Sequence, residues 1–312
     1  MTTPLPVICL MAPTASGKTD LAVELVQKFP KLKIISVDSA LVYKGLNIGA
    51  AKPNAEILAM APHRLIDILE PTEIYTAGNF CQDAIQEIEK IHAENNIPLL
   101  VGGTMLYFWT LQHGLAPLPT ADVAIRQQIT EQALAEGWPE LHKQLANVDW
   151  IAASKIQPTD GQRIQRALEV YRLTGIPMSQ WQQQATVAPA YLFKNVIWAP
   201  PRDWLHARIK QRTQLLFDRG FIEEVQNLCQ QAGMHPDLPS MRTVGYRQIA
   251  AYLKNPYQFS KLQETVFYAT CQLAKRQATW LKRWKDAKGL KVDIDADKKI
   301  NKFICNELPN ID

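Results

Sequence analysis

The chain has 312 residues, of which 47% are hydrophobic and 21% charged, and its formal net charge is +4. This composition excludes a disordered chain and predicts one large or two ordinary domains with a sizeable core. The modest charge excludes nucleic-acid binding through an overall positive field, so such a partner would have to be held by local basic clusters.

Cysteine usage and hydropathy predict the compartment. The chain has five scattered cysteines and no C-x-x-C pair, a pattern that indicates free thiols in a reducing cytoplasm and excludes a disulfide scaffold or zinc site. No stretch approaches the roughly 18 apolar residues that would cross a bilayer, and no basic segment precedes the first apolar run. We therefore expect a cytoplasmic protein without a membrane partner.

The first predicted element is a buried strand, Val7 to Met11, followed by a loop of small residues ending in Gly-Lys-Thr. The pattern is typical of a phosphate-binding loop, in which backbone N–H groups and the positive end of the next helix face phosphate oxygens. Lys18 would add a positive charge, and the Thr19 hydroxyl is the predicted ligand of Mg²⁺. Ala12 stands where the motif has glycine. The predicted diphosphate or triphosphate site comprises Ala12, Pro13, Thr14, Ala15, Ser16, Gly17, Lys18 and Thr19.

Two further predicted strands end in polar residues. The strand Leu32 to Val37 stops at Asp38 and Ser39, and the strand Ile97 to Val101 is followed by two glycines and Thr104. Open α/β sheets bind their ligands at the carboxyl ends of parallel strands, which makes these polar residues candidates for function. For Asp38 a plain turn role is an equal alternative, since aspartate is common after strands.

Amphipathic helices alternate with these strands. Apolar residues recur at helical spacing over Leu21 to Phe29 and over Thr76 to Glu94, and Ala61 to Leu69 predicts another short strand. The alternation predicts an α/β fold, a P-loop core of three layers around a parallel sheet. Apart from Asp38, no carboxylate of the type that ATPases use follows a predicted strand, which is unusual for an ATPase.

The pattern changes at Gly114 to Pro119, after which short helices are predicted with little strand content. One of these helices begins at Thr159 or Asp160 and ends at Gly175. We interpret the middle of the chain as a helical insertion domain. The predicted divisions are 1–118 for the first part of the core, 119–190 for the insertion, and 191–312 for the completion of the core.

Basic residues cluster in the last third of the chain. In 239–248, PSMRTVGYRQ, two arginines flank a segment that can grip a phosphate backbone, with Tyr246 available for stacking. The predicted helix from Phe267 to Lys285 has five basic residues after position 274, interleaved with two tryptophans and no acidic residue. A solvated face usually alternates in charge, so this pattern favours contact with a nucleic-acid backbone. The tail after Asp286 is polar and predicts nothing specific.

Together these segments resemble the bacterial tRNA dimethylallyltransferase family, also called tRNA isopentenyltransferases. The resemblance covers nearly the whole chain in the order of the family. It rests on APTASGKT at 12–19, ISVDSALVYKGLNIGAAKP at 35–53, APHRLID at 61–67, LLVGGTMLYF at 99–108, QRIQRALEVYR at 162–172, PSMRTVGYRQ at 239–248 and QLAKRQATWLKRW at 272–284. The departures are Ala12 for a glycine and Ala50 for a threonine.

The resemblance implies transfer of a dimethylallyl group from dimethylallyl diphosphate to N6 of the adenosine immediately 3′ of the tRNA anticodon, position 37. The loop at 12–19 would hold the diphosphate, with Mg²⁺ on Thr19. Asp38 would act as the general base, and Thr104 would orient either the amine or the bridging oxygen of the diphosphate. Lys18 and Arg212 would stabilise the departing diphosphate.

The resemblance also implies an RNA partner, the tRNA anticodon stem-loop, whose target adenosine must be flipped out of its stack. We expect a monomer, the simplest form for an enzyme that wraps a stem-loop. The implied tRNA contacts are Asp38, Ser39, Ala40, Leu41, Thr104, Arg126, Gln162, Arg163, Ile164, Gln165, Arg166, Arg242, Thr243, Val244, Gly245, Tyr246, Arg247, Lys275, Arg276, Gln277, Ala278, Thr279, Trp280, Leu281 and Lys282.

Two alternatives remain open from the residues alone. A P-loop kinase would use Asp38 as base for a phosphoryl acceptor, would turn over ATP and would not need the basic C-terminal helix. A nucleotide-gated RNA-binding protein without covalent chemistry would use the same basic surfaces but would tolerate the loss of Asp38.

Overall fold

The computed structural model describes residues 5–184, 188–284, 289–292 and 296–307. The chain forms two compact units, one of Met1–Gln112 with Ala190–Asp312 and one of His113–Pro189. The sequence had placed the divisions at 119 and 190. Lys285, counted above among the basic residues of the last long helix, lies outside the described residues.

The α/β unit is built on a parallel sheet, which confirms the predicted fold class. Its described strands are β1 (Pro6–Met11), β2 (Leu32–Val37), β3 (His63–Arg64), β4 (Ile97–Gly102), β5 (Leu192–Trp198) and β6 (Gly289–Val292). Their order in the sheet is β3-β2-β4-β1-β5-β6. The central strands are nearly continuous apolar runs because helices cover both faces of a parallel sheet.

The helices follow in chain order. They are α1 (Lys18–Lys28), α2 (Ala55–Met60), α3 (Ala77–Ala93), α4 (Met105–His113), α5 (Val123–Glu136), α6 (Trp138–Val148), α7 (Trp150–Ala153), α8 (Gly161–Thr174), α9 (Met178–Trp181), α10 (Arg202–Asp218), α11 (Phe221–Cys229), α12 (Tyr246–Lys254), α13 (Phe259–Leu281) and α14 (Ala296–Glu307). A 3₁₀ turn, Lys282–Trp284, follows α13. Within the described ranges, no helix is both long enough and apolar enough to cross a bilayer.

The register of the sheet brings three strand ends together. Gly102 of β4 pairs with Met11 of β1 on one side and with Val37 of β2 on the other. A Cβ at position 102 would lie 2.0 Å from the carbonyl oxygen of Val37, so only glycine permits this approach. The segments that follow β1, β2 and β4 therefore start side by side.

The structure adds to the sequence analysis at two places in this unit. The strand expected over Ala61 to Leu69 is only two residues long, because Leu65 and Asp67 adopt left-handed backbone angles (φ 62° and 55°) that end it in a turn. The tail after Asp286 contributes β6 and α14, and Ile300 and Ile304 of α14 are buried in the core beside the sheet. β6 has only four residues, which are too few to show the alternation of apolar and polar residues by which a strand is predicted.

The helical unit has its own apolar core, which includes Ile129, Leu141, Leu145 and Val170. Its helix α8 begins and ends where the sequence predicted. Asp160 Oδ1 accepts a hydrogen bond from Arg163 N at 3.3 Å, and Gly175 ends the helix in a left-handed conformation.

Candidate active site

A cavity of about 490 Å³ lies where the segments after β1, β2 and β4 start. Lys18, Asp38, Thr104 and Arg212 all line it. These four residues come from four separate segments of the chain, and they are the ones to which the resemblance assigns catalytic roles. The described residues that line the cavity all belong to the α/β unit.

The loop before α1 has the backbone geometry of an anion-binding loop. Ala15 and Gly17 both have left-handed angles, φ 61° and 92°, and alternation of this kind turns successive N–H groups toward one side. Within the described part of the chain, the N–H groups of Ala15, Ser16 and Gly17 have no protein acceptor. Ala12, the departure from the motif, is fully buried, and its N–H donates to Gly102 O at 3.2 Å.

Helix α10 supports this loop from the other side. Arg208 Nε donates to Ala15 O at 2.9 Å, and the Arg208 guanidinium lies 4.9 Å from the ring centroid of Trp204. The bond stabilises Ala15, whose left-handed conformation costs about 1 kcal/mol for a residue other than glycine. Sequence analysis had not assigned Arg208, because a lone arginine on a helix gives no sign of its partner.

A second cavity of about 470 Å³ opens beside the same loop, and Lys18 and Arg212 line both cavities. Thr19, Lys52 and Arg208 also line this second opening. Lys52 is already held by Asp67 and by Tyr43 O. The two cavities therefore share Lys18 and Arg212 in their walls. This arrangement suits a polyanion that enters through one cavity and reacts in the other.

The electrostatics of the site centre on Lys18. Burial lowers the pKa of its ammonium to about 8; the charge of Asp38 opposes that shift, and the charge of Arg212 adds to it. Burial also lowers the pKa of Arg212, again opposed by Asp38. Two half-buried cations close to one carboxylate leave positive charge that a bound anion would neutralise.

Asp38 takes part in a turn and still faces the cavity. Its Oδ1 accepts hydrogen bonds from Ala40 N at 2.9 Å and from Leu41 N at 3.4 Å. No described residue donates to Oδ2. The turn interpretation is therefore confirmed, since one oxygen caps the turn. The other oxygen has no protein partner among these residues, and its catalytic role stays a prediction.

Thr104 joins the ends of β2 and β4. Its Oγ1 accepts from Ser39 N at 3.0 Å and lies 3.4 Å from Ser39 Oγ. The hydroxyl is thereby fixed at the cavity wall.

Gln277 of α13 has a role that the sequence did not indicate. Its Oε1 accepts from Thr14 N, and its Nε2 donates to Gly103 O, both at 2.8 Å. A Cβ on Gly103 would lie 2.6 Å from Gln277 Nε2. The side chain was expected to contact tRNA, but both of its polar atoms hold the phosphate-binding loop against the end of β4.

The prediction that Tyr246 is available for stacking was wrong. Its ring is fully buried and contacts Phe221 edge-on, with the centroids 5.0 Å apart. Its hydroxyl donates to Glu224 Oε1 at 2.6 Å and accepts from Ala50 N at 3.2 Å. Burial and the negative charge of Glu224 raise the pKa of Tyr246, which keeps the hydroxyl protonated.

Glu224 holds the loop 47–50 by its backbone. Its Oε2 accepts from Asn47 N at 3.1 Å and from Ile48 N at 2.7 Å, and its Oε1 accepts from Gly49 N at 3.1 Å. Gly49 and Ala50 line the first cavity, so this carboxylate shapes its wall.

We expect Glu224→Gln to lower the free energy of unfolding by about 3 kcal/mol, because an amide nitrogen would then face backbone donors that a carboxylate satisfies. Urea titration measures the change. The neighbouring exposed residue provides the control: Glu223→Gln should shift the free energy by less than about 0.5 kcal/mol. Equal shifts in the two variants would show that the contacts of Glu224 with the loop contribute little.

The basic segments of the α/β unit are only partly directed at the cavity. Arg242, Thr243, Val244, Gly245, Arg276, Gln277 and Trp280 line it. Leu281, inside the predicted tRNA-binding range, is buried in the core against the sheet. A run of consecutive helical residues necessarily includes some that face inward.

In the helical unit, a buried carboxylate already engages two of the arginines predicted to contact tRNA. Glu169 accepts from Arg126 Nε at 2.9 Å and from Arg166 Nη1 at 2.7 Å. Burial alone would raise the pKa of Glu169, but these bonds outweigh it and the pKa is lowered. Ile164 is fully buried, so its side chain is not a contact; the Arg163 side chain is 67% exposed.

Comparisons with known proteins agree on one family. The model of the IPP transferase family matches residues 41–284. A tRNA dimethylallyltransferase of Coxiella burnetii (strain Dugway 5J108-111) is 51% identical over 284 residues, 90% of this chain and 91% of that protein. One from Legionella pneumophila (strain Paris) is 49% identical over 310 residues, 97% and 99% of the two chains. The crystal structure of a tRNA isopentenylpyrophosphate transferase from Bacillus halodurans superposes with a TM-score of 0.70 at 31% identity, covering 98% of this chain and 97% of that one.

Proposed function

The chain belongs to the IPP transferase family, and we propose that it acts as a tRNA dimethylallyltransferase in which Asp38 is the general base and the loop at 12–19 holds a diphosphate. The acceptor is N6 of the adenosine immediately 3′ of the tRNA anticodon, and the donor is dimethylallyl diphosphate. One observation carries the proposal: Lys18, Asp38, Thr104 and Arg212 line one cavity, which meets a second, cationic cavity at Lys18 and Arg212.

The two cavities suit the two substrates. The diphosphate would occupy the junction, where the N–H groups of 15–17, Lys18 and Arg212 can surround it. The flipped adenine would enter the first cavity from the side of Asp38 and Thr104, with Arg242, Arg276 and Trp280 at its wall. The assigned tRNA contacts with exposed side chains, Arg247, Lys275 and Lys282 among them, would hold the stem-loop outside.

The reaction forms one bond and breaks one. N6 of the adenine attacks C1 of the dimethylallyl group while the C1–O bond breaks, and that electron pair leaves with the diphosphate. The exocyclic amine is a weak nucleophile because its lone pair is delocalised into the ring. Asp38 would take its proton through Oδ2, since Oδ1 is held by the turn.

The departing diphosphate gains negative charge, which Lys18, Arg212 and the loop N–H groups would stabilise. Thr104, fixed by Ser39, would orient either the amine or the bridging oxygen.

The site fits Mg²⁺. Thr19 lines the second cavity beside Lys18, and its hydroxyl is a hard oxygen of the kind that Mg²⁺ prefers. When bound, the ion would neutralise part of the charge of the diphosphate, with Thr19 as the protein ligand.

The experiment that tests the proposal is mass spectrometry of nucleosides from unmodified tRNA, incubated with the protein, Mg²⁺ and dimethylallyl diphosphate, with ATP in a parallel reaction. We expect one dimethylallyl unit on the adenosine next to the anticodon, independent of ATP. ATP consumption without prenylation would support the kinase alternative. Binding of tRNA with neither reaction would support the non-catalytic one.

A further inference from the structure

A third cavity, of about 520 Å³, lies between the N-terminal part of α10 and the outer face of α13. Its floor is apolar and includes Leu205, Cys271 and Ala274, all buried. None of the residues assigned to the chemistry above, Lys18, Asp38, Thr104 and Arg212, lines it.

Aromatic rings lie at this cavity in an ordered group. Tyr268 is 62% exposed, which is unusual for so large a ring. Its ring centroid is 5.2 Å from that of Phe267, which in turn contacts His206 edge-on at 6.4 Å. Phe267, Tyr268 and His206 all line the cavity. An exposed ring beside an apolar floor offers a planar aromatic ligand a surface for stacking.

The charged side chains that line the cavity are of one sign among the described residues. Arg202, Lys275 and Lys282 line it, and none of the described lining residues is acidic. None of these three cations takes part in an ion pair within the described part of the chain. Uncompensated cations around an apolar cavity favour a ligand with an aromatic body and an anionic backbone, which describes a nucleotide in a single strand.

Helix α13 separates this cavity from the reaction cavity. Thr270, Leu273, Arg276, Gln277 and Trp280 face the reaction cavity, while Cys271, Lys275, Ala278, Thr279 and Lys282 face the third. The phosphate-binding loop also reaches both, through Thr14 and Pro13 respectively. The two cavities are thus about one helix diameter apart, roughly 10 Å, so one RNA loop can supply a base to each.

We propose that the third cavity binds a second unstacked base of the tRNA anticodon loop, other than the target adenosine, with its ring stacked on Tyr268 and its flanking phosphates held by Arg202, Lys275 and Lys282. This inference rests on the proposed function, since it takes tRNA as the substrate. It adds a recognition site by which loop bases are read individually.

Synthetic anticodon stem-loops test the proposal, each with one loop base other than the target removed to leave an abasic sugar. Binding is measured by fluorescence anisotropy with Tyr268→Ala, Tyr268→Phe and the unaltered protein. Stacking on one base contributes about 1–3 kcal/mol, so Tyr268→Ala should weaken binding of the intact stem-loop about 5- to 150-fold. Tyr268→Phe keeps the ring and should bind as the unaltered protein does.

The decisive result is coupling. One abasic position should weaken binding to the unaltered protein by the same factor as Tyr268→Ala weakens binding of the intact stem-loop. The same abasic stem-loop should bind Tyr268→Ala as tightly as the intact stem-loop does. Tyr257→Ala serves as the control, because Tyr257 is also exposed, at 38%, and lies outside the cavity. Additive losses at every position, or equal losses for the Tyr268 and Tyr257 variants, would overturn the proposal.

Measurements of prenyl transfer distinguish a failure of this inference from a failure of the proposed function. Tyr268→Ala should raise the KM for the stem-loop and leave the KM for dimethylallyl diphosphate unchanged. Normal prenylation by the unaltered protein without coupling at any position would refute the second base site and leave the proposed function intact. Absence of prenylation by the unaltered protein would refute the proposed function.

Discussion

Asp38→Asn should lower the single-turnover rate of prenyl transfer by about 10²- to 10⁴-fold, the usual contribution of a positioned general base. Asparagine is chosen because its Oδ1 can still accept from Ala40 N and Leu41 N, so the turn that follows β2 is retained. The affinity for tRNA should therefore stay within about twofold, because only the proton acceptor at Oδ2 is lost. Rapid quench with radiolabelled donor measures the rate, and filter binding measures the affinity.

The matched control for this change is Asp218→Asn. Asp218 Oδ1 accepts from Gln214 Nε2 at 2.8 Å at the exposed end of α10, a bond that asparagine also accepts. The single-turnover rate of the Asp218→Asn variant should equal that of the unaltered enzyme. A full rate for Asp38→Asn would exclude Asp38 as the base. A rate loss matched by an equal loss of tRNA affinity would show that Asp38 acts only through the turn.

The affinity for dimethylallyl diphosphate should weaken as the pH rises above about 8. Burial lowers the pKa of Lys18 to about 8, so the ammonium is charged below that pH and neutral above it. A bound diphosphate stabilises the charged form and raises this pKa in the complex. Binding above pH 8 then requires uptake of a proton, and the dissociation constant rises by up to about tenfold per pH unit. Phosphate groups with a pKa near 6 are already ionised in this range.

Titration calorimetry between pH 7 and pH 9.5 measures this dependence, and Lys18→Met tests its origin. Methionine cannot be charged, so the variant should bind the donor with little pH dependence and about 10- to 100-fold more weakly at pH 7. Its rate should fall by about 10²- to 10³-fold, as on loss of one donor to a developing anion. Lys28→Met, at the far end of the same helix, should retain both the affinity and the pH dependence. Persistence of the dependence in Lys18→Met would assign it to another group.

Local backbone structure that depends on near neighbours was predicted correctly. The turn between β1 and α1, the polar residues at the ends of β2 and β4, and the start and end of α8 all follow from short-range rules of backbone conformation and capping. The predicted ends of β1, β2 and β4 also sufficed to expect a common site, since parallel strands end at one edge. The α/β class followed from the alternation of strands and helices.

Other features depend on residues far apart in the chain, and here sequence reasoning failed or gave no signal. Gln277 bonds to Thr14, 263 positions away, and Glu224 bonds to Asn47 at a separation of 177. Tyr246 lies in a segment that reads as an exposed basic loop, yet its ring is buried against Phe221.

Local pattern therefore decided which residues are candidates for the chemistry, because phosphate loops, caps and strand ends are built from consecutive residues with fixed backbone needs. Tertiary packing decided which polar groups are left for a ligand, because that depends on whether a distant element already satisfies them. Gln277 is held at both polar atoms by the phosphate-binding loop and Gly103. Lys275 on the same helix and Lys282 directly after it have no ion-pair partner in the described part of the chain, and they line a cavity that no motif predicts.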